Sequence, residues 1–485
     1  MHRRKLLQYA ALSTGTALLN PYQQLQALNR FLLKANELKV ADFGQNFKWG
    51  VATAAYQIEG AHNIDGKKAS VWDTFSHTKG KIKTGENGDI TCNFYENYAQ
   101  DIALVKTMNF KVFRFSLAWS RIFPNGIGEP NLKGVDFYNR VIDTCLELGV
   151  EPWITLYHWD LPQVLEDKGG WANREVVDWF SEYANFCTKT YGDRVKNWMV
   201  LNEPMAYTTL GYLSGTHAPG KKSPKKFLKA VHHTVLCQAE GGRIIRTNVP
   251  NANVGSTFSC SHVDAVNDKR KHKTAVKRMD ALLNRLFIEP ALGMGYPVDG
   301  FAYLKRIEKY MQEGDEEKMI FNFDFIGVQN YSRMVVKRLL LLPVVGAVNV
   351  PPKKLGLPKS KITEMNWEVY PEGIYKVLKQ FNQYEGVDKI IVTENGASFN
   401  DVVTKNNEVH DTKRVQFFKD YLGYVLKAKK EGVNVQGYYV WTLMDNFEWA
   451  EGYKPRFGLV HVDFNTQKRI IKDSGRWFTE FLNKK

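Results

Sequence analysis

The stretch "KNWMVLNEPMAY" (196–207) carries the pattern that decides the fold. Its apolar run "WMVL" has the character of a buried strand, and it leads directly into Asn202, Glu203 and Pro204. Proline lacks the N–H that a strand ladder needs, so the strand is expected to end there. A strand that ends on an amide and a carboxylate raises the question of whether Glu203 is a loop charge or half of a catalytic pair.

Runs of the same kind recur along the chain, and the residues between them have helical periodicity. The predicted strands are 47–53, 112–117, 152–157, 197–202, 253–258, 325–331, 389–395 and 435–441. The predicted helices include 131–149 and 174–192, the second with Gly192 as its C-cap. Apolar strands alternating with helices are typical of parallel strands buried on both faces. They predict an α/β protein, a single (β/α)8 TIM barrel with long βα loops over 40–485. The alternative is an open doubly wound sheet. It is less favoured because this chain has no GxGxxG motif after its first predicted strand.

Composition and charge exclude several classes of protein. With 44% hydrophobic residues the chain is neither disordered nor collagen-like. The net charge of +15 is concentrated in Lys221–Lys229, Asp268–Lys273 and Pro351–Lys361, and no nucleic-acid motif accompanies these segments. We interpret them as solvated basic surface and expect no nucleic-acid partner. Attraction to an acidic polysaccharide or anionic surface is the alternative.

The cysteines and histidines predict neither a disulfide framework nor a metal site. The cysteines are odd in number, widely spaced and without a CxxC motif: Cys92, Cys145, Cys187, Cys237 and Cys260. We expect buried thiols, no cofactor and no metal.

The N-terminus has the order of an export signal. Arg3, Arg4 and Lys5 precede a weakly apolar stretch that is too short to span a membrane. "RRKLLQ" is similar to a twin-arginine signal, which exports folded proteins. Residues 1–36 are therefore predicted to be a signal and leader. The protein is predicted to be exported to the periplasm. The alternative is a basic helical extension on a cytoplasmic protein. No later stretch predicts a membrane span, and the sequence does not fix the oligomeric state.

Polar and aromatic residues end the predicted strands, where active sites of TIM barrels lie. They are Arg114 within the second strand, His158 past the third, Asn202 and Glu203 at the fourth, Tyr331 closing the sixth, Glu394 and Asn395 at the seventh, and Trp441 at the eighth. Residues 332–366 are expected to form a long Pro- and Lys-rich insertion.

Glu203 and Glu394 form the candidate catalytic pair. Hydrolysis of a sugar acetal needs one carboxyl to attack the anomeric carbon and another to protonate the leaving oxygen. Two carboxylates at the ends of non-adjacent barrel strands can face each other across the barrel mouth. Either residue taken alone is better interpreted as a loop charge, and only their pairing on the predicted rim makes a catalytic role an equal alternative.

Several motifs resemble glycoside hydrolase family 1, the β-glucosidase family of retaining enzymes. They follow the family order over about Phe47 to Leu482: "FKWGVATAAYQIEGA", "RFSLAWSRIFP", "TLYHWDLPQ", "LNEP", "VTENGAS" and "VWTLMDNFEWAEGYKPRFGL". The resemblance implies a retaining β-glycosidase acting on β-D-glucosides, with β-galactosides or β-fucosides as further substrates.

The resemblance also implies residue roles. Glu394 would be the nucleophile, with Arg114 and Tyr331 stabilising its charge and lowering its pKa, and Glu203 the acid/base. Asn202 would bind the sugar 2-hydroxyl. The residues expected to contact other parts of the substrate are Gln57, His158, Trp367, Trp441, Glu448, Trp449 and Phe457. Gln329 stands where the family commonly has Asn, and we expect its amide to keep that role.

Two alternative functions remain. A 6-phospho-β-glycosidase usually has Ser in place of Glu448, and Lys and Tyr in place of Pro455 and Phe457, and a carboxylate would repel phosphate. A catalytically inactive sugar-binding barrel would lack a catalytic Glu, whereas both are present.

Overall fold

The computed structural model describes residues 38–339 and 344–484. Its strands are β1 (Lys48–Ala52), β2 (Val112–Ser116), β3 (Glu151–Tyr157), β4 (Asn197–Asn202), β5 (Asn253–Ser259), β6 (Val263–Ala265), β7 (Phe325–Gln329), β8 (Met334–Arg338), β9 (Ala347–Asn349), β10 (Ile390–Asn395), β11 (Val435–Trp441), β12 (Val460–Val462) and β13 (Arg469–Ile471). Eight of them close a parallel barrel in the order β1-β11-β10-β7-β5-β4-β3-β2, which confirms the predicted fold. The signal and leader expected over residues 1–36 lie outside the described residues.

Helices follow most barrel strands. The α-helices are α1 (Ala55–Ile58), α2 (Val71–His77), α3 (Phe94–Thr107), α4 (Trp119–Ile122), α5 (Leu132–Glu147), α6 (Gln163–Asp167), α7 (Val176–Tyr191), α8 (Pro204–Thr208), α9 (Pro224–Asn248), α10 (Arg270–Asp280), α11 (Ile288–Ala291), α12 (Asp315–Lys318), α13 (Glu372–Phe381), α14 (Thr412–Lys430) and α15 (Asp473–Asn483). Short 3₁₀ segments cover Val40–Phe43, Gly170–Ala172, Ala302–Tyr310, Pro352–Leu355, Lys359–Lys361 and Trp449–Glu451, and π-helical turns cover Thr209–Ser214 and Ala281–Arg285.

The barrel interior is filled by large side chains. One from each of six strands forms a cluster of its own: Val112, Trp153, Met199, Phe325, Ile391 and Tyr439. The other two strands supply Gly50 and Gly255, and a Cβ there would press into the rings of Tyr439 and Phe325 respectively. The glycines make room for rings that pack the base of the barrel, so the polar site can only lie above them.

Gly192 follows α7 as predicted, but it does not adopt the left-handed conformation that usually favours glycine at a helix end. Its φ is −71°, which any residue adopts. A Cβ would instead overlap the carbonyl of Thr188 and lie 2.5 Å from Val249, the residue after α9. Close packing of the two helix ends therefore requires glycine here.

The described residues of the segment 332–366 contain more regular structure than the predicted insertion. They contribute β8, which pairs with β6, and β9, which pairs with β8, in a three-stranded sheet outside the barrel, hereafter the side sheet. Its small core consists of Val263, Ala275, Val336 and Ala347, with Ala275 supplied by α10. Tyr331, expected to close the sixth barrel strand, lies two residues past its end at Gln329.

The cysteines and the basic segments can also be compared with the expectations from the sequence. All five cysteines are free and buried, as predicted. Most Lys and Arg residues of the three basic segments are exposed. Within 38–339 and 344–484, no helix combines the length and the apolarity that crossing a bilayer requires.

Candidate active site

Glu203 and Glu394 stand at the carboxyl-terminal rim of the barrel. Glu203 directly follows β4 with φ 45° and ψ 62°, a left-handed conformation that is uncommon for a residue with a side chain. Pro204 then opens α8 at its first helical position, where a missing N–H costs no hydrogen bond. The strand thus turns sharply into a helix at Glu203, while Glu394 belongs to β10 itself.

Three donors hold the carboxylate of Glu394. Arg114 Nη1 donates to Oε1 at 2.5 Å and Gln329 Nε2 donates to the same oxygen at 2.7 Å. The hydroxyl of Tyr331 donates to Oε2 at 2.6 Å. Since Arg114 is fully buried, its guanidinium acts on the carboxylate without solvent screening. Both oxygens of Glu394 are therefore fixed in position.

Asn202 shares two of these donors, Arg114 and Gln329, and they help to fix the orientation of its amide. Its Oδ1 accepts from Arg114 Nη2 at 2.5 Å, Gln329 Nε2 at 2.7 Å and Thr257 Oγ1 at 2.9 Å. Because three donors converge on one atom, that atom must be the oxygen. The Nδ2 group consequently faces His158 at 2.9 Å and keeps a second N–H for a ligand.

His158 presents a free donor to the site. Burial, assisted by the charge of Arg114, lowers the pKa of His158 well below 6.5, so the ring is neutral. Its Nε2 faces the N–H of Asn202 and must accept, which assigns the proton to Nδ1. Nδ1 is buried without a partner among the described residues, an arrangement suited to a ligand hydroxyl.

The loop after β11 brings a third carboxylate, Glu448. Gln57 Nε2 anchors this loop by donating to Asn446 Oδ1 at 3.0 Å, to the Phe447 carbonyl at 2.9 Å and to Glu448 Oε2 at 3.4 Å. The Oε1 atom of Gln57 is buried and has no partner among the described residues. Gln57 and Glu448 can therefore read neighbouring hydroxyls of one ligand.

Aromatic rings surround the carboxylates in two groups. Trp441 and Trp449 lie 5.9 and 6.0 Å from the ring of His158, between centroids. The second group joins Tyr331 to Trp367 at 5.4 Å and Trp367 to Phe457 at 6.0 Å. Flat apolar faces of this kind suit the faces of a sugar ring or an apolar leaving group.

Burial raises the pKa of all three carboxyls. It raises the pKa of Glu203 to about 8, and the charge of Glu394 adds to this effect. It likewise raises the pKa of Glu448 to about 8. For Glu394 burial also raises the pKa, although Arg114 and Tyr331 oppose it. As predicted, Arg114 and Tyr331 act to lower the pKa of Glu394, but desolvation outweighs them and the net pKa of Glu394 is raised.

Most of the sequence-predicted residues meet in one cavity of about 510 Å³. It is lined by His158, Glu203, Tyr331, Trp367, Glu394, Trp441, Glu448, Trp449 and Phe457. The other three, Gln57, Asn202 and Arg114, reach it through their bonds to these residues. In the described parts of the chain, no group of three or more His, Cys, Asp or Glu side chains is arranged to hold a metal ion.

Sequence reasoning anticipated Gln329, whose amide donates to both Asn202 and Glu394, and missed two further contributors. Thr257 bonds Asn202, and the hydroxyl of Ser259 bonds Glu203 and lowers its pKa slightly against burial. Both lie on β5, whose small polar residues carried no distinguishing pattern.

Comparison with known proteins identifies close relatives. The family model for glycosyl hydrolase family 1 matches residues 39–485. Beta-glucosidase A of Thermotoga maritima is 42% identical over 446 residues, covering 92% of this chain and 98% of the relative. Beta-glucosidase A of Acetivibrio thermocellus is also 42% identical, with 91% and 98% covered.

Solved structures agree with these relatives. The Thermotoga maritima β-glucosidase in complex with deoxynojirimycin superposes with a TM-score of 0.86 at 42% identity, covering 91% of this chain and 98% of that one. Its complex with glucoimidazole gives a TM-score of 0.84 with 91% and 99% covered.

Proposed function

This chain belongs to glycosyl hydrolase family 1 and is a retaining β-glucosidase, and we propose that Glu394 is its nucleophile and Glu203 its general acid/base. The observation that carries this division is the unequal treatment of the two carboxyls. Glu394 is bonded by a guanidinium and by two further donors, which favour its ionised form. Burial instead keeps a proton on Glu203, with a pKa of about 8.

In the first step Glu394 attacks the anomeric carbon and Glu203 protonates the departing glycosidic oxygen. The C–O bond to the aglycone breaks as the bond to a Glu394 carboxylate oxygen forms. The Arg114 and Tyr331 donors hold that carboxylate in place and limit its reorganisation.

In the second step Glu203 changes role because Glu394 has lost its charge. The negative charge of Glu394 is one cause of the raised pKa of Glu203. Once Glu394 is an ester that cause is removed, the pKa of Glu203 falls, and the carboxylate takes a proton from water. Water attacks the anomeric carbon from the face that the aglycone left, and the ester bond to Glu394 breaks and frees its carboxylate, so the product retains its configuration.

The glucosyl unit is bound by groups left unpaired in the protein. Asn202 offers its second N–H to the 2-hydroxyl, and His158 Nδ1 and Gln57 Oε1 bind further hydroxyls. The carboxyl of Glu448 accepts from the hydroxyls beside Gln57. Trp441 provides an apolar surface beneath the ring.

A 6-phosphoglycoside fits this site poorly. Among the described residues that line the cavity, Arg333 is the only Lys or Arg, and it already pairs with Glu368 and Asp264 at 2.8 Å each. Glu448 places acceptor oxygens where a phosphate would need donors. On 4-nitrophenyl β-D-glucoside and its 6-phosphate, we expect kcat/KM to favour the unphosphorylated substrate by about 100-fold or more, since a phosphate would face the Glu448 carboxyl without a free cation beside it.

Glu394→Ala tests the nucleophile. We expect kcat to fall by about 10⁴-fold or more, because the covalent route is lost. Added azide should restore turnover of an activated aryl glucoside and give the α-glucosyl azide, since azide enters the vacated space from the nucleophile's side. A β-configured azide product, identified by NMR, would overturn the assignment.

Glu203→Ala tests the acid/base. Glycosylation by substrates with very good leaving groups needs little protonation, so it should be retained, while substrates with poor leaving groups should lose activity strongly. An equal loss across a series of leaving-group pKa values would exclude this role for Glu203.

For localisation, we propose export through the twin-arginine route. The Arg3-Arg4 pair before an apolar stretch supports this, and the five free buried cysteines suit a protein folded before export. Replacing Arg3 and Arg4 by Lys should trap the enzyme in the cytoplasm, measured by cell fractionation. Full-length protein with an intact N-terminus in the cytoplasm of unmodified cells would refute export.

A further inference from the structure

We propose that the leaving-group side of the cavity is built for flexible apolar aglycones, so that alkyl and similar lipophilic β-glucosides are better substrates than cello-oligosaccharides. This inference rests on the proposed function and adds a substrate class to it. It is carried by the part of the cavity wall that lies beyond the carboxylates and their aromatic rings.

That part of the wall is rich in methionine. Of the 11 methionines in the chain, four line the cavity: Met205, Met279, Met334 and Met365. Aliphatic side chains accompany them: Leu210, Leu283, Val335, Val350, Pro352 and Leu355. Methionine is unbranched and polarisable, and it adapts to apolar ligands of different shape. A wall of this kind suits an aglycone without a fixed outline.

The side sheet supports this wall from behind. Met279, Leu283 and Met334 pack partly against the side-sheet core of Val263, Ala275, Val336 and Ala347. The same three side chains line the cavity and remain partly exposed there. Their inner ends are anchored in a small core, while their outer surfaces are available to a ligand.

Some of the polar groups on this side are already used within the protein. Ser332 Oγ bonds the carbonyls of Arg333 at 3.1 Å and Glu368 at 2.9 Å. Arg333 donates to Glu368 and to Asp264 at 2.8 Å each, and its guanidinium lies 4.0 Å from the centroid of the Tyr370 ring. Thr209 Oγ1 and His217 Nδ1 are buried and unpaired within the described residues, and the exposed amides of Asn349 and Asn366 also line the cavity. A second sugar would bring several hydroxyls to a wall in which the four methionines and six aliphatic side chains outnumber these polar groups.

A series of n-alkyl β-D-glucosides tests the inference. We would measure kcat/KM for the methyl, butyl, hexyl and octyl glucosides below their micelle concentrations, beside cellobiose and β-D-glucosyl fluoride. Each methylene that is buried in the cavity should raise kcat/KM roughly twofold to fourfold until the apolar wall is covered. Octyl glucoside should then exceed cellobiose by at least about tenfold.

Met279→Gln and Met334→Gln test the wall itself. Glutamine has nearly the length of methionine but needs hydrogen bonds, so it penalises an apolar chain with little change in volume. The ratio of kcat/KM for octyl glucoside to that for glucosyl fluoride should fall about fivefold to tenfold in each variant. Met294→Gln is the matched control, because Met294 is 60% exposed and does not line the cavity, and it should leave the ratio unchanged.

The outcomes separate this inference from the proposed function. Turnover of glucosyl fluoride and cellobiose with no gain along the alkyl series would overturn the inference and leave the glucosidase intact. A gain along the series that Met279→Gln and Met334→Gln leave unchanged would overturn the assignment to this wall. Absence of turnover on every β-glucoside, including the fluoride, would overturn the proposed function.

Discussion

At the residue scale, the ionisation of Glu394 results from two opposing effects. Burial raises the pKa of this carboxyl, and the Arg114 and Tyr331 donors lower it again. The Tyr331 hydroxyl is the simpler of the two to remove, because Arg114 also holds Asn202. Tyr331 therefore isolates the contribution of a single hydrogen bond to the charge of the nucleophile.

We predict that Tyr331→Phe lowers kcat/KM roughly tenfold to hundredfold, the value of a hydrogen bond to a charged group. The ionised form of Glu394 loses a donor, so the pKa of Glu394 rises. The acid limb of the pH profile therefore moves to higher pH. The pH profile of kcat/KM on an aryl glucoside measures this shift. Tyr303→Phe, a tyrosine outside the cavity lining, should not move it. An unchanged or lower acid limb for Tyr331→Phe would contradict the prediction.

Residue positions were predictable where strand ends carry unusual side chains. Glu203 and Glu394 stood out because each follows an apolar run and precedes a residue able to turn the chain. The net pKa of Glu394 was not predictable, since it depends on how deeply the tertiary fold buries the carboxyl. Thr257 was missed because a threonine within a strand is ordinary.

At the element scale, each end of the barrel strands has a different function. Their lower parts pack the interior cluster of Trp153, Phe325, Tyr439 and their neighbours, and their carboxyl ends hold the polar site. The rings fit because β1 and β5 supply Gly50 and Gly255. Errors in this packing would change the height and tilt of the strand ends that hold Asn202 and Glu394.

Gly255→Ala tests this packing. The added Cβ would overlap the ring of Phe325, and we expect the free energy of unfolding to fall by about 1–3 kcal/mol. Denaturant titration measures the loss. Adding Phe325→Leu should recover part of it, because the smaller side chain frees the space. If the double variant is as unstable as the sum of the two single variants, the proposed overlap is not the cause.

The sequence was sufficient for the barrel strands and insufficient for the side sheet. Strands buried on both faces leave long apolar runs, such as those ending at Asn202 and Asn395, which stand out against helical periodicity. β8 and β9 are short and lie within a segment whose Pro and Lys content is typical of loops. The pairing of β8 with β6, which lies in a separate part of the chain, is a tertiary contact that local composition does not reveal.

At the scale of the whole molecule, a buried charge network ties the C-terminal segment to the loop that carries Glu448. Lys472 is fully buried and donates to Asp401 at 2.5 Å and to Asp445 at 2.6 Å. Asp445 also accepts from the backbone N–H of Gly458 at 2.9 Å. The network therefore holds both ends of the loop between β11 and β12 that lines the cavity.

We predict that Lys472→Met lowers the free energy of unfolding by about 3–5 kcal/mol, because two buried carboxylates lose their shared cation. Lys468→Met, at an exposed position nearby, should change it by less than about 0.5 kcal/mol. Denaturant titration gives both values. A Lys472→Met protein as stable as the parent would show that the network contributes little.

The side sheet gives this enzyme a separable module for adaptation. The catalytic carboxylates stand at barrel strand ends, whereas Met279, Leu283 and Met334 pack against a separate small core. Because that core is distinct from the barrel interior, we expect mutations in it to disturb the catalytic carboxyls less than changes in the barrel do. Selection for a new leaving group can therefore act on the side sheet without rebuilding the hydrolytic centre.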